Sequence, residues 1–155
     1  MLKKIIYLIC IVLCLITIFM FSSEDSKESN NTSKEIIDKS VTTYENVTKK
    51  DVDNKKVVKT LNYPVRKCAH YTIYLILGIF VYLYMSTTKL DNKVIISIVF
   101  CLICAIFDET HQMFTGRTSK VLDVLIDTLG SSTSILILSK TSKKIEVFLL
   151  IIITY

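Results

Sequence analysis

The sequence predicts an all-α membrane protein of about four transmembrane helices, with a polar extracytoplasmic loop between the first and second. Three observations carry that reading. Hydrophobic residues make up 51% of the 155-residue chain and mean hydropathy is positive, more apolar surface than a soluble domain of this size would bury. The apolar residues are gathered into runs near the length needed to cross a bilayer, roughly 17–25 residues. One long polar segment, 22–67, interrupts those runs.

The first run, 5–21, is unbroken from Ile5 to Phe21 and follows Lys3 and Lys4. It ends in FMFSSED, without the small-residue pattern of a cleavage site, so it reads as an uncleaved span. Neither Cys10 nor Cys14 lies in a lipidation box. The segment 22–67 alternates acids and bases among Ser and Asn, the pattern of a solvated loop. Within it Ile37, Val41, Tyr44 and Val47 recur at helical spacing, which predicts a short amphipathic helix on the membrane surface. Pro64 is read as closing the segment.

The second span, 68–86, has Tyr71, Tyr74, Tyr82 and Tyr84 near its ends, as an interfacial belt would. The third, 94–110, reaches spanning length only by continuing into the polar DETHQ. The fourth, 121–139, carries Asp123 and Asp127. The apolar tail 145–155 is too short to cross, and the whole chain is read as a single membrane domain.

The net charge of +5 is spread without a basic stripe or interleaved aromatics, which excludes a nucleic-acid partner. CLIC, Cys101 to Cys104, has the C-x-x-C spacing of redox or metal motifs. Its flanks are wholly apolar, so both cysteines read as small apolar residues on a lipid-embedded helix. Lys3, Lys4, Lys89, Lys93, Lys140, Lys143 and Lys144 fall on one side of the spans, against Arg66, Lys67, Arg117 and Lys120 on the other. That bias predicts cytoplasmic termini at both ends of the chain.

Against this apolar background the polar residues stand out by spacing. Asp123, Asp127, Gly130 and Ser134 follow steps of four, three and four, one face of a helix. Asp108 and Gln112 are four apart, with Glu109 and His111 beside them, and Arg66, His70, Tyr74 and Gly78 recur every four. Three spans therefore offer polar stripes at one depth, near the outer face. Ionisable residues in spans usually face a cavity or a partner. A purely structural alternative is a charge network in which Arg66 or Arg117 neutralises an acid and locks the packing.

His70, Asp108, Glu109, Asp123 and Asp127 are the candidates for acid–base chemistry, although no Ser or Cys stands out as a nucleophile. Arg66 and Arg117 suit a phosphate or carboxylate at headgroup level. The imidazoles and carboxylates are donor types for a divalent metal, but no paired-ligand motif occurs, and no cofactor is assigned. The Asp123–Asp127 spacing alone lacks the remainder of a phosphatidyltransferase motif.

RKCAHYTIYLILG (Arg66–Gly78), DETHQMFTGR (Asp108–Arg117) and DVLIDTLG (Asp123–Gly130) together resemble the VanZ-like family of bacterial membrane proteins. The exit from the first span through Phe21, Ser22 and Ser23 is also similar to the family's. The resemblance covers the four spans and marks Lys67, His70, Tyr74, Asp108, Glu109, Gln112, Arg117, Asp123, Asp127 and Gly130 as signature positions. It implies a small helical protein of the bacterial cytoplasmic membrane, linked through the founding member to low-level teicoplanin resistance, with no settled activity. Three positions depart from the pattern: Ile73 replaces a common Glu, the Phe114–Gly116 turn is tight, and Ser134 stands where Gly is frequent.

The function expected is recognition of an anionic lipid headgroup or a cell-envelope precursor by Arg66, Lys67 and Arg117, with His70, Tyr74, Gln112 and the acids orienting them. The rivals are a membrane enzyme acting on such a lipid and a non-catalytic accessory subunit of an unidentified protein partner.

Overall fold

A computed structural model describes residues 2–23, 26–49, 53–114 and 121–141. Among these it shows five helices: α1 (Leu2–Ser23), α2 (Ser26–Thr48), α3 (Asn54–Ser86), α4 (Lys93–Phe114) and α5 (Val121–Lys140). Four of them, α1, α3, α4 and α5, are long and apolar enough to cross a membrane. Only 28–33% of the most apolar stretch of each is buried inside the bundle. Phe19, Ile95, Phe107, Leu122, Leu129 and Ile137 point outward. Those faces suit lipid, not water, so the chain is a multi-pass membrane protein.

α3 is the hub and packs against every other described helix. The core joins Ile11, Cys14 and Ile18 of α1 to Tyr74, Leu77 and Val81 of α3, Cys101 and Ala105 of α4, and Ile135 of α5. On α1 the buried residues Tyr7, Ile11, Cys14, Ile18 and Ser22 step by four, three, four and four, which draws one inward stripe.

α3 and α5 approach most closely at two glycines. A Cβ on Gly78 would lie 2.5 Å from the Ser131 carbonyl oxygen and 2.8 Å from its Cα. A Cβ on Gly130 would strike the Tyr71 carbonyl oxygen and sit 3.2 Å from its carbonyl carbon. Backbone cannot yield as a side chain can, so small residues are required at both places, the usual device for close helix contact in lipid. Tyr71 adds a hydrogen bond from its hydroxyl to Thr133 Oγ1 at 3.1 Å.

The polar segment between the first two spans differs from the expected loop. Most of its described length is helical, and α3 begins well before Cys68. Asp53 caps α3 by accepting from the Lys56 N–H at 3.3 Å, and Pro64 lies within the helix instead of ending it. Proline removes one ladder bond; the partnership with α2 offsets that loss. Ile37 and Val41 of α2 are buried and share an apolar groove with Val57, Leu61 and Val65 of α3. The stripe predicted to lie on a membrane surface is thus partly taken up by α3, while Tyr44 and Val47 stay exposed.

On the outer face of α2 an exposed Glu35–Lys39 pair at 2.7 Å holds the Glu35 carboxyl below its usual range. α2 stops where Lys49 takes a left-handed φ of 53°. At 33 residues α3 is about 50 Å long, more than the roughly 30 Å hydrocarbon layer needs. Its first turns therefore project beyond the four-helix body together with α2.

The third span continues through DETHQ, as its length required, and α4 ends only at Phe114. The turn at Gly116–Arg117, Lys120 and the tail 145–155 lie outside the described residues.

Replacing Gly130 or Gly78 by Ala is expected to lower stability by about 1–3 kcal/mol, the usual range for overpacking. Thermal unfolding in detergent checks this, with the exposed Leu129→Ala as a neutral control. Unchanged unfolding of both glycine variants would contradict the close approach.

Candidate functional site

The ends of α1 and α4 and the beginning of α5 meet the middle of α3, and there the bundle turns polar. Asp108 of α4 is buried and accepts from Ser22 Oγ of α1 through Oδ1. Its Oδ2 accepts from Gln112 Nε2 at 2.9 Å, and the same amide donates to Ser22 Oγ at 3.2 Å. This triangle ties α1 to α4. From α3, His70 Nδ1 lies 3.9 Å from Asp108 Oδ2 and 3.7 Å from Asp127 Oδ2 of α5. One turn earlier on α3, Lys67 Nζ pairs with Asp123 Oδ2, and it also lies 5.3 Å from the Tyr63 ring centre, within cation–π range.

Each position follows from helical spacing. Lys67, His70 and Tyr74 share a face of α3 because steps of three and four return to one side. Asp123 and Asp127 share a face of α5 for the same reason, and both are buried. The face continues through Gly130, Ser131 and Ser134. These serines satisfy themselves on their own helix: Ser131 Oγ donates to the Thr128 carbonyl at 3.0 Å, and Ser134 Oγ to the Ser131 carbonyl at 2.9 Å. α5 therefore presents little that clashes with α3.

The structure thus brings together His70, Asp108, Gln112 and Asp127, with Lys67 and Asp123 beside them. Glu109 is buried on α4 and Arg66 is half-buried on α3. Arg117 falls outside the described residues. Tyr74 corrects the expected interfacial belt: it is 0% exposed, and its hydroxyl has no hydrogen-bond partner among the described residues. Because α3 extends so far toward the polar end, a residue near the expected start of the span sits deep in the bundle. His111, expected beside the acids, faces Phe19, with ring centres 4.5 Å apart.

Ser22 is the site residue that sequence reasoning left out. Its signal was its place on the inward stripe of α1 one turn beyond Ile18, but its partner lies 86 residues away.

A crevice of about 330 Å³ lies between α1 and α4, walled by Leu15, Ile18, Phe19 and Phe107 and reaching Tyr74, Cys104, Asp108 and His111. Phe19 is 58% and Phe107 71% exposed, so its mouth is on the lipid-facing surface. Asp123 Oδ1 and Asp127 Oδ2 are buried without a hydrogen-bond partner among the described residues. His70, Asp108 and Asp127 each offer one donor atom, all within 4.8 Å of one another.

A four-span helical bundle with a buried network of carboxylates, one His and one Lys at one end defines a class of small polytopic membrane protein. The sequence model of the VanZ/LLP1 family matches residues 4–145. The chain belongs to that family. No curated protein and no solved structure matches it.

The Lys67–Asp123 pair is largely buried, with side chains 16% and 9% exposed. Removing one member of a buried pair strands the other charge, at about 3–5 kcal/mol. Lys67→Ala is expected to destabilise the protein by about that amount, and Lys67→Ala with Asp123→Asn to recover much of it. Unfolding in detergent measures both, and equal damage in the single and double variants would contradict the pairing.

Proposed function

We propose that the protein recognises a lipid of the cell envelope, holding an anionic headgroup at the polar end of the bundle and its apolar portion in the α1–α4 crevice. The observation behind this reading is that crevice, whose apolar walls open on the lipid side and end at Asp108 and His111. Arg66 would supply positive charge at headgroup level, Lys67 would act there through its pair with Asp123, and Arg117, outside the described residues, is included on its place in the sequence alone. Asp108 and Asp123 act through their partners: Ser22 and Gln112 hold the first, and Lys67 engages the second.

The polar end lies at the extracytoplasmic face of a bacterial cytoplasmic membrane in this reading, with both termini cytoplasmic, as the Lys and Arg bias suggests. A protein that sequesters or presents such a lipid there would alter how a lipophilic glycopeptide meets the envelope. That outcome fits the resistance to teicoplanin associated with the family.

A second reading is favoured by one feature, the imidazole of His70 between two carboxylates. Such a group could exchange protons with an envelope precursor, making the protein an acid–base enzyme.

The test is lipid analysis of the purified protein by native mass spectrometry, beside teicoplanin susceptibility of expressing cells. Retention of an anionic lipid is expected, with at least a tenfold loss, about 1.4 kcal/mol, in Leu15→Trp, which fills the crevice. Lipid retention and susceptibility unaffected by both Leu15→Trp and Arg66→Ala would sink the recognition reading. A changed envelope product that requires His70 would favour the enzyme.

A further inference from the structure

We infer that His70, Asp108 and Asp127 form a site for a single divalent transition-metal ion. The three residues come from three different helices, α3, α4 and α5, and each offers one donor atom within 4.8 Å of the other two. His70 Nδ1 stands 3.7 Å from Asp127 Oδ2 and 3.9 Å from Asp108 Oδ2. These separations exceed a hydrogen bond, which runs to about 3.2 Å for N–H···O. They are a few tenths of an ångström wider than the roughly 3.3–3.6 Å between neighbouring donors on a tetrahedral ion with bonds of about 2.0–2.2 Å, so the three groups would close slightly on binding. All three atoms lie within 4.8 Å, so small side-chain rotations bring them onto one ion.

A second observation is independent of that spacing. The Asp127 side chain is 2% exposed, and its Oδ2, the atom facing His70, has no hydrogen-bond partner. A buried carboxylate oxygen ordinarily has a partner, because leaving it bare forfeits its solvation without return. The one ionic contact of this atom among the described residues is the His70 ring nitrogen at 3.7 Å, inside the cluster.

Charge leads to the same place. Lys67 is engaged by Asp123, so two buried carboxylates share one imidazole. A dication there carries the charge that two carboxylates require. The outer contacts also suit a ligand: Ser22 and Gln112 fix Asp108 by hydrogen bonds, as the supporting residues of metal sites do. Asp108 Oδ2 can accept from Gln112 through one lone pair and keep the other for the ion.

One imidazole nitrogen and two carboxylate oxygens select Zn²⁺, Mn²⁺ or Fe²⁺. They are too few and too nitrogenous for Ca²⁺, which takes six to eight oxygens. Three protein ligands leave a coordination position open. Tyr74 and Asp108 both line the α1–α4 crevice, so the ion would be reachable from it. The site does not depend on the lipid reading, since metal binding is measured on protein in detergent with no lipid added.

The experiment is titration of chelator-stripped, tag-free protein with Zn²⁺ and separately with Mn²⁺, by calorimetry and by elemental analysis after desalting. Saturable binding of about one ion per chain is expected, weakened at least tenfold in His70→Ala and in Asp127→Asn. Glu35→Gln, an exposed acid on α2, is expected to bind like the wild type. No saturable binding of either cation by the wild type overturns the site, as does wild-type affinity in both ligand variants. If those variants do not fold, the unfolding temperature of the wild-type protein decides. A rise with Zn²⁺ or Mn²⁺ that chelator reverses supports the site; no shift with either ion overturns the inference.

Discussion

Burying carboxylates inside a membrane-spanning bundle is the constraint on which the arrangement of helices depends. An Asp at the centre of a span costs about 2.5–3.5 kcal/mol on insertion scales. Asp108, Asp123 and Asp127 can be accommodated only where other helices deliver compensating groups. Ser22 arrives from α1, Lys67 and His70 from α3, and Gln112 from the helix of Asp108 itself. Each contact fixes the height of one helix against another, so the network sets the register of all four spans at one end. Dispersion packing alone would specify that register weakly, because lipid tails are as apolar as the side chains they would replace.

α3 makes this possible by serving two environments. Its later turns carry Tyr74, Leu77 and Val81 in the core and Gly78 against the backbone of α5. Its middle brings Lys67 and His70 to the acids, and its first turns leave the body to pair with α2. The close approach at Gly78 and Gly130 and the ion pair at Asp123 act on the same two helices from different distances. The glycines let the backbones meet, and the charges choose where along the axis they do so.

Much of this was legible in the residues. The steps of four and three through Asp123, Asp127, Gly130 and Ser134 announced a single buried face, and the short third span demanded that DETHQ be helical. Tyr74 was read in two ways, and the stripe proved the better guide than its nearness to a span end. The amphipathic helix of α2 was announced by Ile37, Val41, Tyr44 and Val47, but its pairing with α3 was hidden because Pro64 looks like a boundary and the polar turns before Cys68 carry no apolar run of their own. Lys67 emerges as the partner of Asp123 where Arg66 was the expected choice on that helix, because of which side of α3 faces α5. Ser22 was obscured for a different reason: the Phe21–Ser23 exit resembled the family's without giving the serine a role, and its partner is remote in sequence.

The claim that buried polar contacts set the helix register is tested most directly where α1 meets α4. A double-mutant cycle of Ser22→Ala and Asp108→Ala, measured by reversible unfolding in bicelles, isolates that contact. Interhelical hydrogen bonds in membranes average about 0.6 kcal/mol and reach about 1.7 kcal/mol. A bond to a buried carboxylate belongs in the upper part of that range. The account predicts a coupling of about 1 kcal/mol or more; additivity within about 0.3 kcal/mol would contradict it.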